Sequence, residues 1–186
     1  MLKAADLRDG MCIKLGQELY KIVAAEFKAG TAKLPSAVHL RLRNLRTGTQ
    51  TEQRLHPDEK VEDIMVETVV MEFSYAEGET LYFMHPETFE QVGVPKRLLG
   101  PFVRFLDSGT RLKIEFYGSE PVDVLVPKTV DVRVASTGPA LHGDVDAAPK
   151  TAILENGMEV QVPQFIKPGD KIRIEVATGR YLERLH

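Results

Sequence analysis

The hydrophobic residues of this chain recur mostly at every second position. In the clearest run, Val38, Leu40 and Leu42 alternate with a histidine and two arginines. Successive side chains of a strand point to opposite faces of its sheet. This run therefore buries three apolar side chains on one face and presents an imidazole and two guanidinium groups on the other. Repeated along the chain, the period of two predicts an almost entirely β protein.

The predicted strands fall into three series separated by turn signals. The first series is expected to close a small barrel near residue 64, and the others begin near residues 65 and 129. The segment between Pro86 and Pro95 is expected to be a connection, and the only short helix is expected within 96–106. The predicted strands are 11–15, 19–27, 38–43, 50–55, 65–74, 80–84, 111–117, 121–126, 130–135, 151–154, 159–162, 171–176 and 181–185.

In the block of residues 150–169, small, apolar and charged residues stand at fixed offsets that ordinary composition would not produce. Two valines alternate as the buried face of strand 159–162, which Pro163 ends because proline has no N–H to donate. The turn Pro168-Gly169-Asp170 then leads into strand 171–176. These two strands are predicted to pair as a compact hairpin of a small barrel.

Composition limits the classes of protein to which the chain can belong. With 186 residues, of which 43% are hydrophobic, it can form one large core or two to three small ones. No apolar run approaches the ~20 residues that span a bilayer, and residues 1–6 lack the apolar core of a signal peptide. No membrane partner is therefore expected, and the expected location is the cytoplasm. Cys12 is the only cysteine, which excludes an internal disulfide and predicts a buried or half-buried thiol.

Charge is distributed unevenly along the chain. Residues 1–60 hold 11 Lys and Arg against 7 Asp and Glu, whereas residues 61–186 hold 13 against 20. Within the second portion, residues 65–128 hold 6 basic and 10 acidic groups. The basic first part indicates an anionic partner, although a solvated surface would have the same composition.

The chemistry-bearing residues do not form a catalytic or metal-binding pattern. No two histidines stand four residues apart, and none has a cysteine or carboxylate partner at metal-ligand spacing. Neither Ser36 nor Ser119 lies in a nucleophile-elbow sequence, and the chain has no phosphate-cradling glycine loop. We therefore expect a protein without catalytic residues, cofactor or metal, and thus not an enzyme.

Three segments together resemble the bacterial elongation factor P family of translation factors: the block 150–169, the turn Arg46-Thr47-Gly48-Thr49 and the segment 83–91. The resemblance covers the whole chain. It implies an elongated, tRNA-like molecule of three tandem small β-barrels, of which the first is SH3-like (KOW-like) and the other two are OB folds. The period of two alone predicts only an all-β protein of several barrels. The implied domains are 1–64, 65–128 and 129–186.

The resemblance places the functional centre in the loop 28–37 of the first domain, with Lys33 at its tip. It implies that a lysine-modifying enzyme extends this side chain, which then reaches the acceptor end of the peptidyl-tRNA. Lysine suits that role because its flexible stem carries a point charge that can approach phosphates in a crowded cleft. This chain has Ala29 where the common family loop has proline and Leu34 where it has glycine. An unmodified Lys33 therefore remains an open alternative.

The resemblance also implies two sets of RNA contacts. The candidate tRNA-binding set is Lys28, Lys33, Arg41, Arg43 and Arg46, because arginine can engage phosphate oxygens with two parallel hydrogen bonds. In the third domain, the candidate contacts to mRNA near the exit site, or to the small subunit, are Gly143, Asp144, Tyr181 and Arg184. A solubilising surface or core packing is the alternative for each set.

The implied function is that of a monomeric elongation factor that binds the ribosome next to the peptidyl-tRNA. It would stimulate peptide-bond formation and relieve stalling at consecutive prolines. One alternative is a specialised paralogue that acts on other arrest sequences. The other is a generic OB-type protein that binds single-stranded nucleic acid, although the acidic second domain and the absence of tryptophan leave it few stacking surfaces.

Overall fold

The computed structural model of the chain describes residues 1–32, 34–139 and 148–186. Strands dominate these residues, and the helices among them are short 3₁₀ turns, so the all-β prediction is confirmed. Within the described ranges, no helix has the length and apolar character needed to cross a membrane.

The first sheet contains six strands that share one apolar core. These strands are β1 (Leu2–Lys3), β2 (Cys12–Leu15), β3 (Glu18–Lys28), β4 (Ala37–Asn44), β5 (Gln50–Leu55) and β6 (Lys60–Asp63). They are hydrogen-bonded in the order β1-β6-β2-β3-β4-β5. Val38, Leu40 and Leu42 are buried in the core, as the alternating pattern of β4 predicted. The short strands β1 and β6 were not predicted.

Strands β3 and β4 form a long antiparallel pair, here called the arm. Their register runs from Tyr20 opposite Asn44 to Lys28 opposite Ala37, with a bulge between Ile22 and Ala24. Val23 is the additional residue at the bulge, and its side chain is exposed. A bulge bends its strand and increases the local twist, so the arm changes direction at this point.

The second sheet contains β7 (Glu67–Glu77), β8 (Thr80–Met84), β9 (Gln91–Pro95), β10 (Arg111–Tyr117) and β11 (Glu120–Leu125). Its order is β11-β10-β7-β8-β9. The prediction of a mere connection between Pro86 and Pro95 was wrong, because β9 lies there and Val94 is fully buried. Proline is tolerated at the end of β9 because this strand lies at the edge of the sheet.

The turn between β8 and β9 holds an aromatic residue in an unusual conformation. Nδ1 of His85 accepts hydrogen bonds from the backbone N–H groups of Glu87 at 3.1 Å and Thr88 at 3.2 Å. Phe89 has a φ of 60°, and it is the one non-glycine residue in the described part of the chain with a positive φ. Its side chain is 69% exposed, so no burial compensates for the backbone strain.

The third sheet contains β12 (Thr129–Thr137), β13 (Lys150–Leu154), β14 (Glu159–Val162), β15 (Lys171–Glu175) and β16 (Tyr181–Leu185). Its order is β14-β13-β12-β15-β16, so the predicted hairpin between strands 159–162 and 171–176 was wrong. The intervening segment is pinned to β12 by hydrogen bonds from Gly169 N to Val134 O and from Val134 N to Asp170 O, at 2.8 and 2.9 Å. Ile166 of this segment is fully buried, so the chain passes across the core and does not turn back on β14.

Short 3₁₀ helices occupy Lys96–Leu98 and Gly100–Phe105, where a single short helix was predicted. A further 3₁₀ turn at Ala4–Asp6 was not predicted. By spatial contacts the chain divides into two compact units. Unit 1 comprises Met1–Met71 and Lys113–Val124, and unit 2 comprises Glu72–Leu112 and Leu125–His186.

Candidate nucleic-acid interface

The loop at the end of the arm is closed by its own backbone. Thr31 N donates to Leu34 O at 2.8 Å, and Leu34 N donates to Thr31 O at 3.2 Å. This reciprocal pair forms an isolated antiparallel bridge. Lys33, the predicted tip residue, lies outside the described residues. The described part of the loop is therefore a narrow turn.

Gly30 is required in this loop by space. A Cβ at this position would lie 2.7 Å from Ser36 N and 2.9 Å from Leu34 O. Both contacts are with backbone atoms, which cannot rotate away as the end of a side chain can. The two sides of the loop thus approach more closely than any residue with a side chain would permit.

Two of the four described basic candidates have exposed side chains that no short ion pair holds. Lys28 lies at the end of β3, and its Nζ is 4.0 Å from Oε2 of Glu26. Arg41 is exposed on β4 and forms no ion pair with any described residue. Both line one shallow cavity of about 230 Å³ on the outer face of the first sheet, together with His39 and the carboxylates of Glu26 and Glu52. The structure therefore brings Lys28 and Arg41 together on one exposed surface.

The guanidinium groups of the other two candidates are held in ion pairs. Nη2 of Arg43 donates to Oδ2 of Asp123 at 2.7 Å. Arg46 donates to both carboxylate oxygens of Glu120, from Nε at 3.2 Å and from Nη2 at 3.3 Å. The phosphate-contact prediction for Arg43 and Arg46 is untested, but in the structure both already neutralise a carboxylate.

Lys21 completes a group of charges that the sequence did not reveal. Its Nζ donates to Oε2 of Glu115 at 2.8 Å and to Oδ2 of Asp123 at 3.0 Å. The side chain of Asp123 is 4% exposed and that of Glu115 is 11% exposed. In the sequence, Asp123 stands between two valines of a predicted strand, which indicates only that it faces away from them. Nothing in the sequence showed that two cations would cover it.

The surroundings of Lys21 alter its protonation. Burial acts to lower the pKa of the Lys21 ammonium, but the hydrogen bonds to Glu115 and Asp123 outweigh it and raise the pKa above 10.5. A raised pKa in the folded state means that the stability from these bonds is fully present below pH 10.5. It is lost as the pH rises through the folded-state pKa. Lys21 is therefore a charged partner of both carboxylates at neutral pH.

The candidate residues of the third sheet are only partly described. Gly143 and Asp144 lie outside the described residues. Tyr181 is half-buried against the third core, and this burial raises the pKa of its hydroxyl. Arg184 lies over the ring of Phe165, with 5.5 Å between Cζ and the ring centroid, and its Nη1 is 3.8 Å from Oδ2 of Asp170. Part of the Arg184 side chain remains accessible.

Cys12, the sole cysteine, is buried as predicted. Burial raises the pKa of its thiol, so the reactive thiolate is disfavoured.

Three domain models of one protein family match consecutive parts of the chain. The elongation factor P KOW-like domain matches residues 3–61, the elongation factor P OB domain matches 66–124, and the elongation factor P C-terminal model matches 130–184. The predicted order of a KOW-like domain before an OB domain is thereby confirmed.

Relatives of similar length support the same grouping. The chain is 35% identical over 184 residues to elongation factor P of Acidobacterium capsulatum, covering 98% of both chains. It is 34% identical over 185 residues to elongation factor P of Kosmotoga olearia, covering 99% of this chain and 100% of the relative. Among solved structures, a eukaryotic translation initiation factor 5A from Methanococcus jannaschii matches with a TM-score of 0.54. The match has 13% identity and covers 67% of this chain and 92% of that chain, which shows a shared fold.

Proposed function

The chain belongs to the elongation factor P family of translation factors, and we propose that it binds the ribosome beside the peptidyl-tRNA. At that place it promotes peptide-bond formation where consecutive prolines stall synthesis. The peptidyl transfer is the ribosome's reaction, and this chain contributes no catalytic group to it.

The observation that carries this proposal is the narrow loop at the end of the arm. A backbone bridge between Thr31 and Leu34 closes the loop, and the close approach at Gly30 compresses it. Such a loop can enter a cleft too narrow for a broad surface. The exposed cations Lys28 and Arg41 stand on the arm that carries it.

The proposed mechanism is orientation. The Lys33 side chain contacts the terminal nucleotides of the peptidyl-tRNA and restricts their motion. Holding a reactant near its attack geometry removes entropy that would otherwise be lost on the way to the transition state. A positive charge on a flexible stem suits this because the contacted groups are phosphates and 2′-hydroxyls.

The described residues of the candidate tRNA-binding set divide into those free to contact phosphate and those already paired with a carboxylate. Lys28 and Arg41 contact phosphates directly, because neither is held by a short ion pair. Arg43 and Arg46 are occupied by Asp123 and Glu120 and act within the protein.

The third sheet supplies a second proposed contact. Gly143, Asp144, Tyr181 and Arg184 approach the mRNA near the exit site or the small subunit. We also propose that the chain acts as a monomer in the cytoplasm, with functional domains at 1–64, 65–128 and 129–186.

Modification of Lys33 by a dedicated enzyme is part of the proposal. The loop contains Ala29 and Leu34, so the enzyme must accept an apolar residue directly after its target lysine. Intact-mass measurement of the protein isolated from its native cell tests this. A mass equal to that of the unmodified chain would remove the modifying enzyme from the proposal.

The substitution Lys33→Ala tests the proposed function. We expect it to reduce peptide-bond formation on a polyproline reporter by about tenfold or more, because the terminal nucleotides lose their contact. The matched control is Lys128→Ala, which removes an exposed lysine from outside the first sheet. Equal rescue by the wild-type protein and the Lys33→Ala variant would refute the proposal.

Salt dependence tests the phosphate contacts of the arm. Each phosphate contact releases counterions, so binding to the ribosome should weaken as salt increases. We expect Arg41→Ala to reduce the slope of log Kd against log salt by about one unit. The control Arg46→Ala should change the slope less, because Arg46 is occupied by Glu120. An unchanged slope in the Arg41 variant would exclude a direct contact.

A specialised paralogue is the second candidate function. Leu34 occupies the position next to Lys33 and is 60% exposed, which places an apolar side chain where the common family loop has glycine. A bulkier loop would fit other stalled geometries. Reporter profiling over many arrest sequences separates the two candidates, because the paralogue should rescue a set of motifs that does not centre on consecutive prolines.

A further inference from the structure

We propose that Lys21, Arg43, Glu115 and Asp123, together called the clamp, orient the arm and thereby aim the loop 28–37. They are positioning residues, because none of them reaches the loop. This inference rests on the proposed function only where it concerns rescue of stalled ribosomes. Its geometric part concerns this chain alone.

The clamp holds both strands of the arm at the same level. Lys21 on β3 lies directly opposite Arg43 on β4, so their side chains emerge from neighbouring positions of the sheet. Both donate to the same atom, Oδ2 of Asp123, at 3.0 and 2.7 Å. A single carboxylate on β11 therefore fixes two strands at once. Glu115 on β10 adds a second acceptor for Lys21 at 2.8 Å.

Fixing the angle of the arm at the clamp requires directional bonds. An apolar cluster of Cys12, Leu19, Leu45 and Val122 also lies in this unit, with Tyr117 packed against it. Apolar contact is non-directional, so it favours association without selecting one angle. Charged hydrogen bonds weaken steeply when they are bent, and they are shorter and stronger than neutral ones. The clamp can therefore select one orientation of the arm among several that the cluster would accept.

The length of the arm amplifies any change in angle. Seven residue steps separate Lys21 from Lys28, which corresponds to about 23 Å of extended strand. A tilt of about 10° at the clamp would displace the end of the arm by about 4 Å over that length. A misplacement of about 1 Å can cost about 100-fold when a reaction depends on orientation. Small losses of order at the clamp should therefore be measurable at the loop.

The test separates orientation from folding. Replacing a buried ion network with apolar residues of similar size often preserves or raises stability. We therefore combine Lys21→Met, Arg43→Met, Glu115→Met and Asp123→Leu in one apolar clamp variant. The single substitutions Arg43→Met and Arg43→Lys accompany it, since Arg43→Met leaves Asp123 paired with Lys21 and Arg43→Lys keeps the charge.

The first readout is a distance within unit 1, which needs no ribosome. Spin labels on Ala29→Cys and Ser119→Cys, two exposed sites, report the distance between the loop and the β10–β11 turn. Cys12 is buried and reacts slowly. We expect one narrow distance distribution in the wild-type clamp and in Arg43→Lys. In the apolar clamp variant and Arg43→Met, the distribution should broaden or shift by several ångström.

The second readout is rescue of polyproline synthesis in unlabelled proteins. The apolar clamp variant and Arg43→Met should lose about tenfold in rescue at unchanged thermal stability, and Arg43→Lys should retain most of it. Glu120→Gln is the matched control, because it removes the exposed partner of Arg46 and leaves the clamp intact. A narrow, unshifted distance distribution in the folded apolar clamp variant overturns the inference. If the Lys33→Ala variant rescues as well as the wild-type protein, while the distance distribution of the apolar clamp variant broadens, the proposed function is refuted and the inference about the clamp stands.

Discussion

At the residue scale, the arginines of β4 show which properties of a side chain the sequence can predict. The period of two correctly placed Arg41 and Arg43 on the polar face of β4. Their different surroundings could not be predicted, because Asp123 lies 80 positions from Arg43 in the chain. Local alternation determines which way a side chain faces. What covers that face depends on long-range contacts that no local pattern records.

Gly30 provides a residue-scale prediction. Gly30→Ala should force the two sides of the loop apart, because the new Cβ would lie 2.7 Å from Ser36 N. We expect hydrogen exchange of the Thr31 and Leu34 amides to accelerate by about tenfold, as their bridge opens. Gly138→Ala is the control, since its nearest contact would be an ordinary 3.8 Å. Unchanged exchange in Gly30→Ala would show that the loop tolerates the added atom.

At the element scale, most strands were predicted, including the four-residue strand β14, and three were missed. Strand β5 was predicted with the bounds that the structure shows. The missed strands carry weak signals: β1 has two residues, β6 has the single apolar residue Val61, and β9 contains a glycine and ends in a proline. The pairing error at β14 and β15 has another cause. Turn residues show where a chain bends, but they do not show which neighbour the next strand will join.

The strained turn between β8 and β9 supplies an element-scale prediction. Phe89→Asn should raise the free energy of unfolding by about 1 kcal/mol, because asparagine tolerates the left-handed conformation better than phenylalanine. Denaturant unfolding measures this change. Phe27→Asn is the control, since Phe27 is 61% exposed but lies in a regular strand, where asparagine should destabilise. A loss of stability in Phe89→Asn would mean that the aromatic ring contributes more than its conformation costs.

At the scale of the whole molecule, the compact units are not continuous segments of the chain. Unit 1 contains the entire first sheet together with residues 113–124. The apolar cluster formed by Cys12, Leu19, Leu45 and Val122 accounts for this grouping, together with the clamp. A division at residue 64 follows from the strand series and from the family. The sequence could not show that residues 113–124 would complete the first unit.

A comparison of fragments tests this grouping. Residues 1–64 alone should be less stable than residues 1–128 by about 2–4 kcal/mol, because Leu19 and Leu45 would lose their cover of Val122 and Tyr117. Thermal unfolding of the two fragments, followed by circular dichroism, measures the difference. Equal stability would show that the first sheet needs nothing from residues 113–124.

The bulge at Val23 sets the direction of the arm without involving residues of the core or the loop. Side chains of β3 before and after the bulge face the same core, since Ile22 and Ala25 lie opposite the buried Leu42 and Leu40 of β4. Removing Val23 would therefore leave the core and the loop sequence unaltered while straightening the strand. The insertion or deletion of one residue at the bulge would thus redirect the loop 28–37 without changing any residue of the loop. Sequence comparisons confined to the loop would overlook that route to new specificity.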